Sequence, residues 1–206
     1  MIIDFSKELH LDKIKILFSN ERIKTFPPKK KTINMNQTHS SKISEVSNKT
    51  LYYKSTDGLL SNNINHILEI SVADCLPIFV YNKKKFCIGV VHAGWKGLKK
   101  GIISNLSQAL SSYDSLSDFK IFIGPSISQK NYEVKKDFLE YFEREHFLIN
   151  DDKYYLDLKK IAVKQLALEG FKDIEVSKIC TYENHNFHSF RRNGTEKRMR
   201  GYIYYE

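Results

Sequence analysis

One cysteine and one histidine stand at the ends of two neighbouring β-type runs, LPIFVYN and KFCIGVV. A short Lys-rich turn separates the runs, which predicts an antiparallel hairpin. If the turn centres on Lys83 and Lys84, Cys75 lies directly opposite His92, with Cβ atoms roughly 4.5–5.5 Å apart on one face. At that separation, a thiolate and an imidazole could be two ligands of one metal ion, or a nucleophile and its base.

The residues around this pair favour a site at the edge of the sheet. Asp74 precedes the cysteine, and Gly94 and Gly97 follow the histidine, where they allow close backbone approach. Trp95 is either a pocket wall or a core residue. Cys87 has the opposite parity from the histidine on the same strand, so we expect it to be a core thiol that behaves as a small hydrophobic residue.

The remaining segments alternate between strand and helix patterns. Apolar runs predict strands at IKILFS, TINMN, HILEISVA, FKIFIG, IEVSKIC and GYIYY. Helical spacing predicts one helix from about Lys96 to Tyr113, a second over YEVKKDFLEYFERE, and a third over LDLKKIAVKQLALEG that Gly170 ends. QTHSSK and TYENHNFHSFRRNGTEKR are expected to be loops. This order predicts a single α/β domain with a mixed β-sheet that contains antiparallel hairpins and is flanked by helices.

Composition narrows the class of protein. The chain has 206 residues and is 41% apolar, which allows one large domain with a substantial core. No run approaches the roughly 18 apolar residues of a membrane span, and the first residues lack the pattern of a signal peptide. Three cysteines lie far apart, which argues against a disulfide framework. We therefore expect a soluble, cytoplasmic protein.

The net charge of +9 could attract nucleic acid or anionic small molecules. The Lys clusters PPKKKT and NKKKF lack the interleaved aromatic residues of a single-strand-binding surface. A nucleic-acid-binding protein is therefore an alternative that rests on charge alone. It predicts tight, steeply salt-dependent binding.

Six motifs occur in order along the chain: QTHS, TDGLLSN, ADCLPIF, VHAGWKG, IGPSISQKNYEV and CTYENHNFHSFRRNG. Together they resemble the bacterial laccase-domain family, also called the polyphenol oxidase or peptidoglycan editing factor family. The cysteine of ADCLP, followed 17 residues later by the histidine of HAGW, is a highly specific signal. The resemblance covers about residues 33–206. It implies one laccase-type domain over residues 1–206, with a fold like that of the cytotoxic-necrotizing-factor-like cysteine hydrolases.

The resemblance implies a zinc site whose ligands are His39, Cys75 and His92. Three nitrogen and sulfur ligands with a vacant fourth position are typical of catalytic zinc. The resemblance also implies phosphorolysis of purine nucleosides (adenosine, inosine, guanosine and methylthioadenosine) and deamination of adenosine at the same site. Zinc suits deamination, because it can activate water for attack on C6 of adenine.

Phosphorolysis needs cationic side chains that hold phosphate. The candidates for holding phosphate are Arg191, Arg192 and Lys96. Arg191 is also expected to take part in catalysis. Gln37 and Trp95 are expected to contact the substrate. The segment FSNERIKTFPPKKK is shorter than its counterpart in the family and lacks the Arg-x-Gly-Gly-type motif, so a pocket wall or phosphate ligand from that segment is missing or replaced.

The expected catalytic group contains Asp74, Cys75 and His92. Asp74 is a candidate for proton transfer or for orienting a ligand. Without metal, Cys75 and His92 could act as nucleophile and base of a hydrolase, and an enzyme that edits peptidoglycan precursors could use either form of the site. Copper-dependent phenol oxidation, the family's older label, is disfavoured because multicopper oxidation needs many more histidine ligands.

Overall fold

Fifteen strands and four α-helices are present in the computed structural model, which describes residues 1–82 and 84–206. The strands are β1 (Ile2–Asp4), β2 (Ile14–Ser19), β3 (Lys31–Met35), β4 (Ile43–Glu45), β5 (Tyr52–Tyr53), β6 (Gly58–Ser61), β7 (His66–Val72), β8 (Leu76–Asn82), β9 (Cys87–Ala93), β10 (Lys120–Ile123), β11 (Glu133–Val134), β12 (Phe147–Asn150), β13 (Lys153–Leu156), β14 (Asp173–Val176) and β15 (Met199–Tyr205). The helices are α1 (Trp95–Lys99), α2 (Ile102–Leu110), α3 (Leu158–Glu169) and α4 (Phe190–Asn193). None of the described helices has the length and apolar character needed to cross a membrane.

The strands form two six-stranded sheets and one small sheet. The first large sheet has the order β1-β2-β15-β7-β3-β5, the second has the order β14-β10-β8-β9-β6-β4, and the small sheet is β11-β13-β12. Both large sheets are mixed, because β3 runs parallel to β7 while β15 runs antiparallel to it, and β10 pairs parallel with β14 and antiparallel with β8. The predicted α/β fold with a mixed sheet, hairpins and flanking helices is confirmed.

Strand β8 lies between two hydrophobic cores. Phe79 and Tyr81 belong to the core that joins the two large sheets, whereas Ile78 and Val80 belong to the core shared with α2 and α3. Successive side chains of a strand point to opposite faces, so a strand with both faces covered must be apolar throughout. This explains why LPIFVYN is a continuous apolar run. The result is three layers: sheet, sheet and helices.

Two of the predicted helices differ from the structure. The stretch from Lys96 to Tyr113 contains α1 and α2, because Gly101 between them adopts a left-handed conformation with φ of 78°. The helix predicted over YEVKKDFLEYFERE is wrong, since Glu133–Val134 is strand β11 and pairs with β13. Two aromatic residues of that stretch, Phe138 and Tyr141, pack on Trp95, which is distant in the sequence. The spacing of apolar residues along the chain carries no information about such long-range contacts, so it could not predict this departure from a helix.

The third helix and most of the predicted strands are confirmed. Helix α3 begins after Asp157, whose side chain accepts a hydrogen bond from the backbone of Lys160, and it ends at Gly170 with φ of 104°. The predicted strand IEVSKIC is regular only over Asp173–Val176. The predicted loop TYENHNFHSFRRNGTEKR contains the short helix α4.

The predicted hairpin of β8 and β9 is present, but its register differs by two residues. Asn82 pairs with Cys87 and Pro77 pairs with His92, so the connection spans residues 83–86 rather than a two-residue turn. Extending this register places Gly94, not His92, opposite Cys75. A shift of two residues preserves which face each side chain points to. The predicted turn falls partly on Lys83, which lies outside the described residues.

Gly201 on β15 lies where the two large sheets approach closely. A Cβ atom at this position would lie 2.7 Å from Phe79 of the second sheet and 2.9 Å from Ile70. We expect Gly201→Ala to lower the free energy of unfolding by about 1–3 kcal/mol, because the core must shift to accept it. Urea denaturation measures this change. Leu168→Ala, at a side chain that is 76% exposed, is the control and should change stability by less than about 0.5 kcal/mol. Equal midpoints for wild type and Gly201→Ala would contradict the close approach.

Candidate metal site and its cavity

Three separate segments bring His39, Cys75 and His92 together. His39 lies between β3 and β4, Cys75 lies in the connection from β7 to β8, and His92 lies near the end of β9. One nitrogen or sulfur atom from each side chain lies within 4.8 Å of the others, and they form the only such group among the described residues. The Sγ atom of Cys75 is 3.8 Å from Nε2 of His39. Tetrahedral zinc separates sulfur and nitrogen ligands by about 3.6 Å, so both the donor set and the spacing fit zinc.

Asp57 is the carboxylate that positions two of these residues, and sequence reasoning missed it. Its oxygens accept hydrogen bonds from the backbone N–H groups of Thr38, His39 and Ser40, at 3.1, 3.0 and 2.8 Å. The hydroxyl of Ser40 adds a fourth bond at 2.6 Å. These bonds hold His39 in a left-handed backbone conformation with φ of 57°.

Asp57 also orients the second histidine. Its Oδ1 atom lies 2.8 Å from Nδ1 of His92, and both side chains are buried. With Nδ1 occupied, Nε2 is the nitrogen left to bind a metal. Burial alone would raise the pKa of the Asp57 carboxyl, but hydrogen bonds from His92 and Ser40 outweigh burial and hold its pKa far below the ordinary value. The carboxylate is therefore ionised wherever the protein is folded near neutral pH.

Cys75 and His92 favour each other's charged form. Burial would raise the pKa of the Cys75 thiol, but the charge of His92 and a hydrogen bond from His39 outweigh it, so its pKa is lowered. Burial would lower the pKa of His92, but the thiolate and Asp57 raise it. Gly94 permits this packing, because a Cβ atom there would lie 2.8 Å from Sγ of Cys75. The thiol is therefore prepared for the thiolate form that both metal binding and nucleophilic attack require.

Cys87 behaves as the sequence predicts. It is fully buried in the core beneath the helices, and burial raises the pKa of its thiol to about 12. It is therefore an inert core residue, in contrast to Cys75.

A cavity of about 570 Å³ contains the His–Cys–His group. Aromatic side chains supply part of its wall, and two of them, Tyr52 and Phe190, are 51% and 57% exposed. The lining residues are Met35, Asn36, Gln37, His39, Tyr52, Ser71, Val72, Ala73, Asp74, Cys75, His92, Trp95, Tyr132, Phe190, Arg191 and Arg198. The cavity therefore combines polar groups at the metal ligands with flat apolar surfaces.

Both residues that are expected to contact the substrate, Gln37 and Trp95, line this cavity. Gln37 lines it, although its amide is bonded in both directions to the backbone of Ser71, at 2.6 and 2.8 Å. Trp95 also lines it and is half-buried against Phe138 and Tyr141. Gln37 thus joins the end of β3 to β7, and Trp95 is both cavity wall and packing residue.

The three predicted cationic residues have different surroundings. Arg191 lines the cavity. The guanidinium of Arg192 instead donates to the carbonyls of Thr181, Tyr182 and Phe187 at 2.9, 2.8 and 2.6 Å, which closes the loop before α4. Lys96 is exposed, and neither it nor Arg192 is among the described lining residues. Arg198 also lines the cavity. It was not predicted as a phosphate-binding residue, because it lies beyond the motif CTYENHNFHSFRRNG.

Asp74 lines the cavity but is bonded away from the metal ligands. One carboxylate oxygen accepts from the hydroxyl of Thr181 at 2.7 Å, and the other accepts from the hydroxyl of Ser189 at 3.1 Å and the backbone N–H of Arg191 at 2.6 Å. Asp74 therefore holds the start of α4 against the cavity. The carboxylate that contacts a candidate ligand is Asp57, which lies in the motif TDGLLSN but was given no role from the sequence.

Comparison with known proteins agrees with this arrangement of motifs. Residues 17–206 match the model of the family described as multi-copper polyphenol oxidoreductase laccase. The chain belongs to this family. The predicted resemblance is confirmed, and the six motifs that carry it include every candidate metal ligand.

Two proteins with related sequences are named as enzymes. A purine nucleoside phosphorylase of Aquifex aeolicus is 34% identical over 86% of this chain and 84% of its own length. A purine nucleoside phosphorylase of Campylobacter jejuni is 33% identical over 97% of this chain and 89% of its own length. The crystal structure of Bacillus licheniformis YfiH, described as a hypothetical protein, has a TM-score of 0.84 at 24% identity and covers 94% of this chain and 93% of its own, which shows the shared fold.

The two aspartates should have separable effects on zinc binding. We expect Asp57→Asn to weaken zinc affinity about 10–100-fold, because a ligand histidine loses its orienting carboxylate. Asp74→Asn, whose bonds are to the loop before α4, should leave zinc affinity nearly unchanged. Competition with a chromophoric chelator measures both, and thermal unfolding checks that each variant folds. Equal losses of affinity in the two folded variants would contradict this division of roles.

Proposed function

We propose that this chain is a zinc-dependent purine nucleoside phosphorylase that acts on adenosine, inosine, guanosine and methylthioadenosine and also deaminates adenosine. The observation that carries the proposal is the convergence of His39, Cys75 and His92 in a substrate-sized cavity. Support also comes from the two relatives named purine nucleoside phosphorylases, at 33–34% identity over most of both chains.

The residues around the proposed metal have distinct tasks. His39 and His92 would bind through imidazole nitrogens, and Cys75 would bind as the thiolate that its lowered pKa favours. Asp57 fixes the ring of His92 and the segment that carries His39. Zinc held by three such ligands supplies Lewis-acid chemistry at its open coordination position.

The cavity suits a nucleoside in size and surface. Its volume of about 570 Å³ lies within the range of small-molecule sites, roughly 300–1,000 Å³. The exposed rings of Tyr52 and Phe190 line it, and a planar purine base can stack on such rings. Phosphorolysis joins a phosphate oxygen to C1′ of the ribose and breaks the bond from C1′ to the base. Arg191 lines the same cavity and is the residue assigned to hold the phosphate.

The name of the matching family raises copper-dependent oxidation of phenols as another function. Multicopper oxidation requires several metal sites with many histidine ligands. Among the described residues, one three-ligand group is present. Five of the seven histidines lie outside this group, and two of those five have other partners: His66 bonds Ser61, and His188 bonds the carbonyl of Asn20. The ligand set therefore favours zinc.

Removing the thiol ligand tests the proposal. Wild type should contain about one zinc per chain and should release free base from nucleosides only when phosphate is present, and it should release ammonia from adenosine. Cys75→Ala should lose both the zinc and the two activities, because one of three ligands is gone. Metal analysis, chromatography of the free base and an ammonia assay measure these results.

Cys87→Ala is the matched control, since it removes a core thiol far from the ligands. It should keep its zinc and its activities if it remains folded. Full zinc content and unchanged adenosine turnover in Cys75→Ala would overturn the proposal. Phenol oxidation at a comparable rate, with stoichiometric copper, would favour the oxidase instead.

A second candidate function uses the same residues without metal. Asp57, His92 and Cys75 form an acid–histidine–thiol series in which Asp57 bonds Nδ1 of His92 and the thiol lies near the same ring. This is the arrangement of a thiol hydrolase, in which a base activates the nucleophile and a third group orients the base. A hydrolase that edits peptidoglycan precursors could use this metal-free form of the site or the metal-bound form.

Alkylation distinguishes the two functions. In chelator-treated protein, Cys75 should react with iodoacetamide at neutral pH faster than an ordinary thiol, because its lowered pKa leaves more thiolate. The rate should fall only as the pH drops through that lowered pKa. Added zinc should protect Cys75 if zinc is its partner. Rapid labelling that zinc does not slow would favour the thiol hydrolase. Mass spectrometry of labelled peptides identifies the modified cysteine.

A further inference from the structure

Two arginines line the cavity of the candidate metal site, Arg191 and Arg198. Arg198 was not among the cationic residues predicted to hold phosphate. The other two predicted cations have different surroundings, since the guanidinium of Arg192 is occupied by three backbone carbonyls and Lys96 does not line the cavity among the described residues. The arginine charge of the cavity wall therefore comes from Arg191, which the sequence suggested, and from Arg198, which it did not.

No carboxylate among residues 1–82 and 84–206 forms an ion pair with either of these arginines. Asp74 is the only acidic residue among the described lining residues, and both of its oxygens already accept bonds from Thr181, Ser189 and the backbone of Arg191. Two guanidinium groups against this one carboxylate leave an excess of positive charge in a concave site. Such a site attracts an anion.

Backbone carbonyls hold both guanidinium groups in place without neutralising them. Nη1 of Arg198 donates to the carbonyls of Thr195 and Lys197 at 2.8 and 3.0 Å. Nη1 of Arg191 donates to the carbonyl of Glu133, and its guanidinium carbon lies 4.7 Å from the centre of the Tyr132 ring. Within the described part of the chain, Nε and Nη2 of both arginines have no protein acceptor. These N–H groups remain for a ligand, and a guanidinium presents them in the geometry that suits phosphate.

We propose that Arg191 and Arg198 together form a phosphate subsite beside the His–Cys–His group. The occupant is free inorganic phosphate, and this choice rests on the proposed phosphorolysis. Arg198 is the new assignment, as a residue that binds the phosphate directly. Both arginines lie within one segment, from α4 to the start of β15, and Asp74 secures the beginning of that segment through its bond to the backbone of Arg191. This one segment, which contributes to the lining of the cavity, therefore carries the charge that the second substrate needs.

Calorimetric titration of inorganic phosphate into the zinc-loaded full chain tests the subsite. Arg198→Gln should weaken phosphate binding about tenfold or more, because one charged donor group is lost. Arg198→Lys should be intermediate, since an ammonium keeps the charge but not the two-pronged geometry. Arg144→Gln is the matched control, at an exposed arginine outside the cavity, and should bind phosphate like wild type. Thermal unfolding checks the fold of each variant.

Kinetics separate phosphate binding from a purely structural role. Arg198→Gln should raise the KM for phosphate about tenfold and leave the KM for the nucleoside within about twofold. A distorted cavity would raise both values together, which would overturn the assignment. Phosphate binding by Arg198→Gln at wild-type affinity would also overturn it.

Failure of the subsite and failure of the proposed function give different results. If wild type cleaves nucleosides and Arg198→Gln has an unchanged KM for phosphate, the function stands and the subsite is wrong. If wild type binds phosphate through Arg198 but releases no base from any nucleoside, the subsite stands and the function is wrong. Adenosine monophosphate tests the other source of a phosphate group. Binding of the monophosphate that depends on Arg198, without binding of inorganic phosphate, would overturn inorganic phosphate as the occupant.

Discussion

The carboxylate of Asp57 is the contact on which the candidate site depends. It accepts backbone bonds from the segment of His39 and a side-chain bond from His92, so one buried anion joins a loop to a strand. A buried charge is stable only when it is well bonded, and Asp57 receives five hydrogen bonds from Thr38, His39, Ser40 and His92 within 3.1 Å. The same bonds that compensate for burial also fix two ligand positions.

Cys75 reaches this group from the other side, through the hairpin of β8 and β9. The two core faces of β8 hold that strand rigidly between a sheet and the helices, so the cysteine at its start has a defined position. Gly94 then lets the sulfur approach the neighbouring backbone closely. Rigid strands thus supply the precision that a three-ligand metal site requires.

Asp57 and Asp74 hold different parts of the cavity lining in place. Asp57 holds the candidate ligands His39 and His92, whereas Asp74 anchors the segment that carries Phe190 and Arg191. The cavity accordingly combines nitrogen and sulfur donors with aromatic and cationic groups. That combination suits a substrate with a polar reacting centre, a planar base and an anionic partner, as in the proposed phosphorolysis of a nucleoside.

The sequence by itself determined the α/β class, the hairpin, helix α3 and the family, because apolar periodicity, a glycine stop and motif order are local properties. The spacing of the two strands along the chain was enough to place Cys75 and His92 on one face of the hairpin. The predicted register was wrong by two residues, because the strand pattern does not encode the length of the connection between β8 and β9. His39 came only from the family motif. Tertiary structure alone decided that Asp57 orients His92 and that Arg198 lines the cavity. Both depend on contacts between distant segments, which no local pattern contains.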